Sequence, residues 1–214
     1  MPQDWHLVPA IRTSNAEREA LRATYFGPYR MPALRNTMPE VSRMKGDAET
    51  KEALTRSGKV MSLRPAKAQG TARSSATLRS ATECVVEEGS HKMKVTLPGA
   101  YGGSGNAPNP GVLGRAALAS CIALGIGMWA ARLDVPLDSL KVEVEADYDA
   151  RGELGVSDDI VAGYTAVRYV IHAESKAPAA KVRAMLDQAI KHSSYVDNFT
   201  RAMPVASEIH VNGS

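Results

Sequence analysis

Residues 107–133 read APNPGVLGRAALASCIALGIGMWAARL, and the rest of the chain has to be arranged around that stretch. It opens on Asn109-Pro110, a capping side chain followed by a proline whose fixed φ suits the first helical turn. The sixteen residues from Ala116 to Ala131 carry no charge, and only Ser120 and Cys121 interrupt their apolar character. A helix apolar on every side must be enclosed by protein or by lipid. The uncharged run spans roughly 24 Å, short of the ~20 residues a bilayer asks for, and Arg115 and Arg132 bracket it. These features predict a central core helix with one thiol, Cys121, near its middle.

The chain has 214 residues, a formal charge of +3, 44% hydrophobic and 23% charged residues. That is enough apolar material for a real core in one domain with an appendage. No block of lysine and arginine occurs and aromatics make up only 5%, so nothing points to nucleic acid. Two cysteines, Cys84 and Cys121, form neither a disulfide framework nor a zinc pattern, and they suit a reducing compartment. With no apolar signal core at the start of the chain and no span of membrane length, the expectation is a cytoplasmic protein without membrane contact.

Residues 1–44 are expected to form an N-terminal extension, with prolines at positions 2, 9, 28, 32 and 39. Ser14 followed by Glu17 is a capping-box pattern that marks one helix within it. The remaining residues, 45–214, are expected to form the domain. A helix is predicted from Asp47 to about Met61, then three strands near 70–78, 82–87 and 91–97, with a hairpin turn at Glu88-Gly89-Ser90. Cys84 shares a strand face with Thr82 and Val86 and is expected to point towards the core as a small hydrophobe. After the central helix, the alternation of Leu140, Val142, Val144 and Ala146 with charged residues marks a half-buried strand. A second strand follows at 164–175, a helix with Val182, Met185, Ala189 and Ile190 on one face, a short helix at 195–199, and a last strand at 205–211. Strands grouped between helices, not alternating singly with them, indicate α+β.

Several chemical motifs are excluded by spacing. The glycine-rich loop Tyr101-Gly102-Gly103-Ser104-Gly105-Asn106 lacks the Gly-Lys-Ser/Thr ending of a phosphate loop. Gly125 and Gly127 in the helix form no dinucleotide fingerprint; they suggest close approach by another helix or backbone. The five histidines show no metal-ligand spacing, and nothing calls for a cofactor. His192-Ser193 lacks the surroundings of a hydrolase and reads as a helix end. Glu143, Glu145 and Asp147 alternate along one strand as a wetted face. Cys121 on its own reads as a packing cysteine; it lies too far from the helix start for the dipole to ionise it, so reactivity would need a cation from elsewhere.

The Gly-Gly, Ala-Pro-Asn-Pro and Ala-Leu-Ala-Ser-Cys sequence of residues 102–121 resembles the signature of the OsmC/Ohr family, and the order of elements over residues 47–211 agrees with it. The resemblance implies an α+β fold in which two chains intertwine as a homodimer, strands wrapping central helices, with reactive sites at the dimer interface. It implies reduction of an organic hydroperoxide by a cysteine corresponding to Cys121. An arginine would hold the thiolate, a glutamate would orient that arginine, and a second cysteine would resolve the oxidised sulfur before a thiol reductant resets it. Arg79 aligns best with the arginine, and Arg73 is the alternative. Gly111 stands in the place of the glutamate and Ser193 in the place of the resolving cysteine. Cys84 is the one other thiol that could resolve. A one-cysteine reductase relying on an external thiol is therefore one expectation, and a non-catalytic module binding a small apolar ligand is the other.

Overall fold

A computed structural model describes residues 47–212. The extension expected over residues 1–44, with its capping box, lies outside them. The chain enters helix α1 (Asp47–Leu63), which Arg64-Pro65 ends, and then forms a meander of three short strands. These are β1 (Ser75–Ser80), β2 (Glu83–Glu88) and β3 (His91–Thr96), antiparallel in the order β1-β2-β3. Gly89 makes the turn between β2 and β3 with φ +57°, a conformation that favours glycine. Cys84 pairs with Leu78 on one side and Val95 on the other, and is half-buried.

The glycine loop that follows is a fold-back against the end of β3. Gly103 donates to the Pro98 carbonyl and Gly105 to that of Leu97. A Cβ on Gly103 would stand 1.9 Å from the Leu97 carbonyl oxygen, so only glycine fits. Thr96 then ties the loop to the next helix by donating to Pro108 O at 3.1 Å.

Helix α2 (Pro110–Leu133) is the central element. Asn109 caps it, accepting from Val112 N at 2.9 Å, and Pro110 begins its first turn. At 24 residues it includes both flanking arginines and is, by length and composition, long and apolar enough to cross a membrane. The length of its uncharged run therefore does not decide between core and membrane. Packing is the more informative observation. Leu118, Ile122, Ile126 and Ala130 recur every four residues and are buried in the core of the chain.

Strands β4 (Ser139–Tyr148) and β5 (Tyr164–Glu174) form a separate antiparallel pair, in which Val142 faces Ile171 and Val144 faces Tyr169. The apolar side of this pair lies on α2. Its other side carries ion pairs: Arg168 bridges Glu145 and Asp147, while Glu143 meets Lys141 and His172. The alternating carboxylates are thus committed to cations along the sheet. One turn of helix, α3 (Ala150–Glu153), starts the β4–β5 connection. Helix α4 (Ala179–Lys191) packs on α2 through the fully buried Met185 and Ala189, and α5 (Ser194–Thr200) follows after two residues.

The expected α+β class holds. Two local expectations do not. No strand forms at 205–211, where the chain runs without regular secondary structure and Val205 is 93% and Ile209 81% exposed. Its alternation of Val205, Ile209 and Val211 has a strand's period, but among the described residues it joins neither sheet. Of the pair Gly125 and Gly127, a Cβ on Gly125 would meet nothing within 4 Å, so among the described residues that glycine marks no close approach.

Because Ile126 is fully buried between α2 and its neighbours, truncating it leaves a cavity that rigid helices cannot close. Ile126→Ala is expected to cost about 2–5 kcal/mol of stability, read as a lower urea midpoint with an unchanged slope.

Candidate thiol site

Cys121 stands midway along α2, half-buried, on the side that meets the α4–α5 junction. That junction is made of His192 and Ser193. His192 ends α4, its amide donating to Gln188 O at 3.3 Å, and Ser193 N donates to Ile190 O at 3.1 Å. Ser193 then caps α5, its hydroxyl accepting from Val196 N at 3.4 Å. The reading of His192-Ser193 as a helix end is therefore correct, and it accounts for Ser193 being buried at only 4% exposure.

The same turn covers the thiol. Cys121 Sγ lies 3.6 Å from Ser193 Oγ and 3.5 Å from Ser194 Oγ, and the backbone of Ser194 and Tyr195 also favours its thiolate. Burial pushes this thiol up, but the hydrogen bonds of Ser194, Tyr195 and Ser193 together outweigh it, and its pKa falls below the ordinary cysteine value. A larger share of Cys121 is thus thiolate at neutral pH than in an unperturbed cysteine. Among the described residues no charged side chain contributes to this shift. Within the described residues the lowering comes from hydroxyls and amides.

Ser193 thus stands directly against Cys121, at the position where the resemblance puts a second cysteine. The remaining sequence candidates are not brought to the thiol. Arg79 sits at an irregularity of register between Leu78 and Ser80 in β1, where it helps Lys92 hold the Glu87 carboxyl low. Arg73 precedes β1 on exposed chain. Cys84 and Cys121 are both free thiols, with no bond between them. At Gly111 a Cβ would be a tight fit, 3.3 Å from Arg115 Nη1 and 3.3 Å from Asn109 Oδ1, so those side chains would have to give by a few tenths of an ångström.

An open cavity of about 310 Å³ lies beside the thiol's surroundings. Leu118, one turn before Cys121, and Val196, just past the covering turn, form part of its wall, with Val167, Tyr169 and Phe199 completing an apolar lining. Tyr164 also lines it, and its hydroxyl donates to Gly111 O at 3.1 Å. The sequence did not single out Ser194, Tyr195 or this cavity, because each depends on how α5 folds back on α2.

If Ser193 occupies disulfide range, Ser193→Cys should form a bond with Cys121 under mild oxidation, losing two titratable thiols and gaining a peptide crosslink by mass spectrometry. The parent protein should keep both thiols under the same treatment.

The description "OsmC-like protein" matches residues 103–208 as a family model. Among solved structures, an OsmC-like protein from Mycoplasma pneumoniae superposes with TM-score 0.53 and 11% identity, covering 61% of this chain and 88% of that one. An organic hydroperoxide resistance protein OsmC from Legionella pneumophila gives TM-score 0.45 and 20% identity over 61% and 89%. A search of the curated proteins finds no match. The glycine loop from Gly103 onward, the capped central helix with its thiol, the β4–β5 pair and the α4–α5 junction all fall within the matched residues. Over residues 103–208 the chain belongs to the OsmC family.

Proposed function

We propose that the protein reduces organic hydroperoxides through Cys121, as a one-cysteine enzyme working with an external thiol. The observation that carries this reading is the thiol's setting: its pKa is lowered by the Ser193–Tyr195 turn, and Leu118 and Val196, on the two elements that meet there, help line a mostly apolar cavity. In the reaction, the Cys121 thiolate attacks the terminal peroxide oxygen. A sulfur–oxygen bond forms as the oxygen–oxygen bond breaks, leaving a sulfenic acid, and the departing alkoxide takes a proton to become the alcohol. One external thiol then displaces water to give a mixed disulfide. A second releases Cys121 and leaves as the disulfide. The apolar cavity suits the organic part of the hydroperoxide, and the two free cysteines suit a reducing compartment such as the cytoplasm.

The active form in this reading is a homodimer. Val112, Ala116, Ser120, Leu124 and Met128 run down α2 at four-residue spacing and are all exposed, Leu124 at 71%. Leu78 on β1, Val205 and Ile209 are exposed as well. Apolar surface of this extent is what a partner surface looks like. Arg79 of the second copy is the cation assigned to the thiol, since none is supplied within one chain among the described residues.

A second reading, a non-catalytic binding module for a small apolar ligand, is favoured by Gly111 and Ser193 and by the cavity itself. Peroxide consumption separates the two. With tert-butyl hydroperoxide and a dithiol, the parent should consume peroxide and Cys121→Ser should not; Arg79→Ala should lower kcat/KM on the order of tenfold. Equal loss of peroxide with parent and Cys121→Ser would sink the enzyme reading. Retained ligand in native mass spectra of an inactive parent would support the binding module.

The dimer is tested separately by light scattering. A parent of twice the 22.9 kDa chain mass, reduced to one chain by Leu124→Asp, is expected; a monomeric parent would count against it.

A further inference from the structure

Helix α2 grips the α4–α5 junction at two points. One is Cys121, against Ser193 and Ser194. The other is Trp129, two turns further along the same helix, whose ring stacks on His192 with centroids 5.2 Å apart and planes inclined by 20°. Arg132 lies over the same indole, its Cζ 5.0 Å from the ring centroid. His192 is exposed, and the stack is the one side-chain interaction it makes among the described residues. It immediately precedes the serine that meets the thiol.

From this arrangement we infer that the Trp129–His192 stack holds the Ser193–Ser194 turn against Cys121, making His192 and Trp129 positioning residues for the thiol. The reasoning is geometric. The core contacts that fix α4 on α2, Met185 and Ala189, lie seven and three residues before the junction. Past Ala189, Ile190 and Val196 pack against the core on either side of the junction, and between them the direction of the chain is set by the helix end, by the Ser193 cap and by the stack. Ser193 Oγ already accepts from Val196 N, so a small rotation of the junction takes the hydroxyl away from the sulfur while keeping the α5 cap. The Ser194 and Tyr195 amides follow in the same turn and would move with it. A flat ring against Trp129 anchors the residue next to the moving part and opposes that rotation.

Loosening the turn would also hydrate the sulfur. Burial pushes the thiol up and the hydrogen bonds bring it down, with the bonds prevailing. Losing both together returns Cys121 towards an ordinary cysteine, so the net movement is upward. The groups facing the thiol from the junction are the two serine hydroxyls and two amides, and among the described residues no charged side chain adds to them.

The inference rests on Cys121 being the reacting group, but its test reads the thiol without needing turnover. On a Cys84→Ser background, which leaves Cys121 as the one thiol, alkylation by iodoacetamide is followed between about pH 5 and 10. His192→Ala is expected to move the profile to higher pH and to slow alkylation at about pH 7 by about threefold or more. His192→Phe keeps a flat ring at the stack and is expected to follow the parent. Far-UV circular dichroism and a thermal melt accompany each variant. A His192→Ala protein that melts earlier yet keeps the parent's alkylation profile would show a structural role only and overturn the inference. So would a His192→Phe profile shifted as far as that of His192→Ala. A parent without peroxide turnover would remove the proposed enzyme and leave this comparison intact.

Discussion

An apolar helix in the middle of a fold has to be covered, and the elements around it answer to that requirement. Helix α2 is apolar over nearly its whole circumference, so α1, the β4–β5 pair, α4 and α5 all pack against it. Its Leu118–Ala130 stripe supplies the buried core, and the neighbouring elements contribute side chains of matching character, such as Val142, Val167 and Met185. One side of the helix stays exposed among the described residues. The β1–β3 meander does not provide the cover: β1 is exposed along its length, and the meander is joined to the helix entrance through Thr96 and the glycine loop.

The thiol's character follows from the same packing. A cysteine buried among apolar side chains alone would be a poor nucleophile, because desolvation raises its pKa. Helix α5 starts where its first amides and its capping serine meet α2, and this turns a packing position into one that favours the thiolate. The chemistry depends less on Cys121 itself than on where a seven-residue helix begins.

Much of this was legible in the sequence. Asn109-Pro110 announced the start of α2, the alternation from Leu140 marked β4, and the face of Val182, Met185 and Ala189 marked α4. These are local signals, set by periods of two or 3.6 residues. The position of Ser193 against Cys121 was legible only through the resemblance, since 72 residues separate the two and no periodicity links them. Ser194, Tyr195 and the Trp129–His192 stack were missed for the same reason, although a tryptophan in a chain with two is a signal that could have been followed. The 205–211 segment shows the opposite failure. Its alternating pattern is a strand's, but a strand also needs a neighbour, and sequence period says nothing about which edge is available.

Ser193 has one more consequence, kinetic in nature. A thiol built into the chain at that position would meet an oxidised Cys121 at an effective concentration of millimolar or more, whatever the surroundings held. A serine brings no such tethered partner. Once oxidised, the sulfur would be restored by second-order encounters, at a rate proportional to the concentration of thiols outside the protein. The recovery of this protein would then follow the abundance of those thiols, and a depleted pool would leave Cys121 in its oxidised form for longer.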